Sequence, residues 1–99
     1  MDVQFQAIHF DADQKLISFI KERLSKLNLF YDQIIGSEVF LRLDKSDKNL
    51  NKIVEIKLII PGKELFAKKR CKSFEEAADE TIDALRRQIK KHKGKHLVK

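Results

Sequence analysis

Arg86 to Lys99, the last fourteen of the 99 residues, hold seven basic side chains and no acidic one. They are Arg86, Arg87, Lys90, Lys91, Lys93, Lys95 and Lys99. The whole chain has 21 basic and 15 acidic residues, so residues 1–85 keep 14 basic against 15 acidic. A nearly neutral body therefore ends in one compact cationic segment, whose chemistry is the docking of a polyanion. At helical spacing Arg86, Lys90 and Lys93 form one ridge, and Arg87, Lys91 and Lys95 the next. Neither ridge contains the apolar Leu85 and Ile89. Lys21, Arg23 and Lys26 likewise fall off the apolar stripe of an earlier helix. Two such helices side by side would join these charges into a surface able to follow a phosphate backbone. The competing reading is a solvated face whose lysines complement a helix C-terminus. That suits one or two lysines better than seven without a carboxylate.

Other candidate groups carry less. Lys68, Lys69, Arg70 and Lys72 cluster at the end of a strand, where lysines commonly protect a sheet edge; this reading is favoured over RNA contact. Phe40, Ile59 and Phe66 fall on an outer sheet face among Glu38, Arg42, Glu55 and Lys57. Aromatics there can stack bases, but no glycine-and-aromatic signature accompanies them, so Phe40 and Phe66 are expected to pack as cross-strand partners. His92 and His96 have a chelating i,i+4 spacing, yet the surrounding lysines repel a divalent cation, so a phosphate contact is expected and a metal is not. His9 reads as structural. Cys71 stands alone, which excludes an internal disulfide, and its basic neighbours are of the kind that lower a thiol pKa; no His or acidic group is placed to pair with it as a nucleophile. With three glycines there is no phosphate-cradling loop. No catalytic constellation, cofactor or small-molecule substrate is expected.

The elements that must position these groups follow from periodicity. Val3 to Phe10 alternates as a half-buried strand, with Val3, Phe5 and Ala7 inward. Asp11 or Asp13 caps a helix running from about Asp13 to Leu27, buried through Leu16, Ile20, Leu24 and Leu27. Ile34 to Leu43 is a strand, residues 44–51 a polar loop, and Ile53 to Ile60 the strongest strand. Pro61-Gly62 is a turn, followed by a strand with Leu65 and Ala67 inward that ends near Cys71. Ser73-Phe74-Glu75-Glu76 has capping-box form. The helix behind it buries Phe74, Ala78, Ile82, Leu85 and Ile89 and ends or frays at Gly94. Acidic residues at its start and basic ones at its end both suit the macrodipole. The order β-α-β-β-β-α makes the first two strands parallel through a right-handed crossover and the later ones antiparallel. The fold class is α+β, a two-layer sandwich with a four-stranded mixed sheet and both helices on one face.

Length and composition fit one small domain at 42% hydrophobic residues, divided as residues 1–95 and a short basic tail, 96–99. No apolar run approaches a membrane span, and the N-terminus does not read as a signal peptide. A lone cysteine suits a reduced cytoplasm. A pI near 9.5 favours nucleic acid over an anionic membrane as partner.

These residues, taken in order, resemble the ribosome hibernation-promoting factor and ribosome-associated inhibitor family. The resemblance is carried by Ser73 to Asp79 and by Ile82-Asp83-Ala84-Leu85-Arg86-Arg87-Gln88-Ile89-Lys90-Lys91-His92-Lys93 in the second helix. In the first it is carried by Glu22-Arg23-Leu24-Ser25-Lys26-Leu27 with the aromatic pair Phe30-Tyr31, and between them by Pro61-Gly62 with Leu65 and Ala67. The resemblance implies a double-stranded-RNA-binding-like fold with an extra first strand. It also implies a bacterial stress-response protein that docks on rRNA of the small ribosomal subunit and overlaps the messenger and tRNA positions. Translation would then stop in starvation or stationary phase. The family's RNA-contacting basics fall on Arg23, Lys26, Arg87, Lys91 and Lys95, with Arg86, Lys90 and Lys93 as neighbours. Ala84 stands where many relatives have lysine, so one contact should be missing. The chain is similar to the short form, without a second ribosome-pairing domain, and is expected to be monomeric off the ribosome. A general double-stranded-RNA module and a small protein-interaction domain are the rival readings.

Overall fold

A computed structural model describes residues 1–8, 10–46 and 48–97, with side chains given as far as Gly94. The order is β1 (Asp2–Ile8), α1 (Gln14–Phe30), β2 (Gly36–Leu43), β3 (Lys52–Ile60), β4 (Lys63–Cys71) and α2 (Phe74–Leu97). The strands lie side by side as β1-β2-β3-β4. β1 pairs β2 in parallel, with Phe5 opposite Val39; β3 pairs both neighbours antiparallel, with Ile56 between Val39 and Ala67. This is the expected mixed sheet and two-layer sandwich.

Strict alternation makes the core. Val39 and Leu41, then Val54, Ile56, Leu58 and Ile60, then Leu65 and Ala67 are buried on one sheet face. Leu16, Ile20, Leu24 and Leu27 of α1 and Ala77, Ala78, Leu85 and Ile89 of α2 close over them. Removing this apolar surface from water supplies the main stabilising term. Thr81, also buried, satisfies its hydroxyl by donating to the Ala77 carbonyl at 2.7 Å. In the turn, Gly62 adopts φ +82°, a conformation that a Cβ disfavours.

Both helix starts are capped by side chains. Asp13, not Asp11, is the first cap: its Oδ1 accepts from the Leu16 N–H at 2.8 Å. Ser73 Oγ accepts from the Glu76 N–H at 3.1 Å. Asp13→Ala is expected to cost about 1 kcal/mol, read as a lower midpoint in urea unfolding.

Several boundaries differ from the sequence expectation. β1 ends at Ile8 rather than Phe10, and Phe10 instead stacks on Phe74 with ring centroids 4.8 Å apart. Ala7 has the inward register opposite Leu41 but is exposed, at the margin of the edge strand. β2 starts at Gly36, while Ile34 is buried ahead of it. α1 runs three residues beyond Leu27, because Phe30 gains partners on α2. The largest correction is at Gly94. The helix neither stops nor turns there but continues through Leu97. A glycine costs an interior helical position only about 1 kcal/mol, and contacts between Lys93 and α1 hold the preceding turn.

Candidate nucleic-acid interface

α1 and α2 pack side by side on the sheet, and this places the basic residues. A groove of about 370 Å³ runs between the helices, with Leu27 and Ile82 as its apolar lining, Arg23, Lys26 and Arg86 as its cations, and Asp79 and Asp83 as its anions. Arg23 projects from α1 across the groove, where its Nε lies 3.0 Å from Asp79 Oδ1. The Nε–H finds no aligned acceptor, so the contact is an ion pair rather than a hydrogen bond. The guanidinium also lies over Phe19, 4.7 Å from the ring centre. Arg23 is thus held from both sides, with 37% of its side chain left in solvent.

The two ridges of α2 have different surroundings. Arg86 and Lys93, from the first ridge, both lean on Phe30 at the end of α1, at 4.7 and 4.6 Å from its ring centre. Arg87, from the second, pairs with Asp83 one turn earlier at 3.2 Å. Beside it Gln88 Nε2 donates to the Phe66 carbonyl of β4 at 2.9 Å, which ties this side of the helix to the sheet edge. Lys26, Lys90 and Lys91 are exposed and form no ion pair among the described residues. The Lys95 side chain lies outside the described residues, as do those of His96 and Lys99. Lys21 does not join this surface. Its Nζ sits over Phe5 of β1, 5.9 Å from the ring centre, on the other flank of α1. The two helices together make a face with Arg23, Lys26 and Arg86 around their groove and with Arg87, Lys90 and Lys91 exposed along α2. Such a face can neutralise several phosphates at fixed spacing.

Comparison with known proteins bears on the family and the fold. Residues 3–97 match the family described as Sigma 54 modulation protein / S30EA ribosomal protein. A Pseudomonas putida protein named ribosome hibernation promoting factor is 33% identical over 95 residues, covering 96% of this chain and 89% of that one. The chain belongs to this family. An Azotobacter vinelandii protein of the same name is 28% identical over 97 residues, covering 98% and 87%. Two solved structures share the fold. A ribosomal subunit interface protein from Coxiella burnetii has a TM-score of 0.86 at 21% identity, covering 95% of this chain and 99% of its own. The Thermus thermophilus Protein Y N-terminal domain has a TM-score of 0.80 at 18% identity, covering 93% and 99%.

Several of the remaining candidates have partners within the fold. Lys68 and Arg70 point outward on edge strand β4: Lys68 pairs with Glu55 at 3.7 Å and Arg70 with Asp44 at 2.7 Å. Arg70 also donates to the Leu50 carbonyl. Ion pairs Arg42–Glu55 and Lys57–Glu38, both at 3.3 Å, cross the same outer face. Phe40 and Phe66 are not cross-strand partners. Phe40 stands opposite Glu55 and Phe66 opposite Lys57, so the whole of β3 separates them. His9 falls outside the described residues.

Cys71 reverses its expectation. Its basic neighbours in sequence do not reach the thiol; α2 brings Glu76 and Glu80 to it instead. The three ligand-type atoms lie within 4.8 Å of one another. Burial first, then the two carboxylates, push the thiol up to about 11, so it is a protonated, unreactive group at neutral pH. The signal in the sequence is the i,i+4 spacing of Glu76 and Glu80 in the first turns of the helix that follows Cys71.

Asp44 is a further residue that sequence reading passed over. Ser46 donates to it from both hydroxyl and backbone, and Arg70 adds a third bond. These hold its carboxyl at about 2 against an ordinary 3.8. A depressed folded-state pKa stabilises above the unfolded value, and that contribution is lost as pH falls through the folded one. Asp44→Asn is therefore expected to be less stable than the parent at pH 5. Circular dichroism should show the difference shrinking as pH falls from 4 to 2.

Proposed function

We propose that this chain is a ribosome hibernation factor. It docks on the small ribosomal subunit through rRNA phosphates, fills the messenger and tRNA channel by volume, and stops translation in starvation or stationary phase. The supporting observation is the two-helix cationic face, in a family whose curated relatives carry the hibernation name. The reading needs no catalysis and no cofactor. It assigns residues 1–95 as one ribosome-binding domain with a short basic tail, working in the bacterial cytoplasm and monomeric off the ribosome. Phosphate contacts position a protein without reading sequence, so selectivity would come from the folded shape of the rRNA.

Sedimentation of purified small subunits with the protein across a salt series tests this. With roughly five phosphate contacts, log affinity should fall against log salt with a slope of about −3.5 to −4.5. Equal or tighter binding to plain duplex RNA in a filter assay would favour a general double-stranded-RNA module. Salt-insensitive capture of a protein, with no RNA affinity, would favour an interaction domain.

A further inference from the structure

Among the described side chains, which end at Gly94, the buried stripe of α2 reaches no further than Ile89, and the helix continues for eight residues to Leu97 and passes through Gly94. At about 1.5 Å per residue this adds roughly 12 Å of helix. A lysine-rich helix end containing a glycine is a place where fraying is expected. What holds this end is the last turn of α1. Phe30 places one ring under both Arg86 and Lys93, residues two helical turns apart, at 4.7 and 4.6 Å. Lys93 Nζ also donates to the Phe30 carbonyl at 3.3 Å. Tyr31, which caps α1 by donating its N–H to the Leu27 carbonyl, meets His92 edge-on with centroids 6.1 Å apart. The aromatic pair thus takes up three side chains of the basic segment, and neither ring is fully buried.

We infer that Phe30 and Tyr31 are positioning residues for polyanion binding: they clamp the basic end of α2 so that its cations keep fixed spacing before the RNA arrives. The inference rests on the RNA-binding reading above. Its physical basis is that a cation over an aromatic face keeps its charge while losing conformational freedom. The ordering cost of those side chains is then met in the free protein rather than on binding. Phe30 holds Arg86 and Lys93 without neutralising them, as a carboxylate in its place would.

Phe30→Leu and Phe30→Trp separate the clamp from simple packing, since leucine keeps an apolar contact but offers no π face. In the free protein, hydrogen exchange at the amides of residues 86–93 should be faster for Phe30→Leu than for the parent, and near the parent for Phe30→Trp. On small subunits, Phe30→Leu should bind roughly three- to tenfold more weakly, with an unchanged slope against log salt, because the number of phosphate contacts stays the same. Phe30→Trp should restore the affinity, and Tyr31→Leu should weaken binding less than Phe30→Leu. Parent-like exchange and affinity in Phe30→Leu would overturn the clamp, and so would a Phe30→Trp protein as weak as Phe30→Leu. If the parent binds neither small subunits nor duplex RNA, the RNA reading fails and takes the positioning role with it. If the parent binds and Phe30→Leu binds equally well, only the positioning role fails.

Discussion

Replacing Arg87, Lys91 and Lys95 together by glutamate is expected to abolish co-sedimentation with small subunits while the protein stays folded. Arg87 and Lys91 are exposed, and the one ion pair among their described contacts is Arg87–Asp83, between side chains more than half in solvent. An exposed pair of that kind contributes at most about 1 kcal/mol to stability, so thermal unfolding should move little. Binding should respond far more strongly. Each lost phosphate contact removes the counterion release that drives association, and each new carboxylate repels a phosphate. Three such changes at once should lower affinity by more than about a hundredfold at moderate salt. Unchanged sedimentation would sink the proposed function, whatever the fold. The variant also separates the two ridges of α2, because Arg86, Lys90 and Lys93 remain.

Leu85→Ala should produce the largest loss of stability. Leu85 is fully buried, and it belongs to the core cluster joining α2 to the sheet and α1. Truncating such a leucine costs about 2–5 kcal/mol, the spread reflecting how far the surroundings can collapse into the cavity. Domains of this size are stable by only about 5–15 kcal/mol, so the midpoint of thermal unfolding should drop by roughly 8 °C or more. The same substitution lies next to Arg86 and one turn from Ile89, so any binding defect must be measured well below the new midpoint. A variant within 2–3 °C of the parent, at about 4–8 °C per kcal/mol, would contradict the packing described here.

Much of the architecture was legible because it depends on short-range patterns. Alternation from Val54 to Ile60 and helical spacing from Leu16 to Leu27 each bury one face, and the residues that are apolar there are those the core contains. Ser73 capped its helix as its spacing indicated. The differences share a cause: they concern groups whose neighbours lie on another element. Cys71 was read with Lys69, Arg70 and Lys72, but a turn into α2 brings Glu76 and Glu80 to its sulfur. Gly94 reads as the place where the helix ends or frays, but the helix continues to Leu97 with Lys93 anchored on the end of α1. Lys21 was grouped with Arg23 and Lys26, but its helical position turns it toward Phe5 and β1. Phe40 and Phe66 share an outer face by alternation, but β3 lies between their strands.

By itself the sequence determined the element order, the inward residues and the concentration of cations at the chain's end, because hydrophobic period and net charge are properties of neighbouring positions. It also carried the family. Only the tertiary structure decided which cations border the groove, which are held by Asp79 or Phe30, and how far the basic helix stays formed. Those outcomes depend on the packing of α1 against α2, where residues more than fifty positions apart meet, and local spacing holds no record of such contacts.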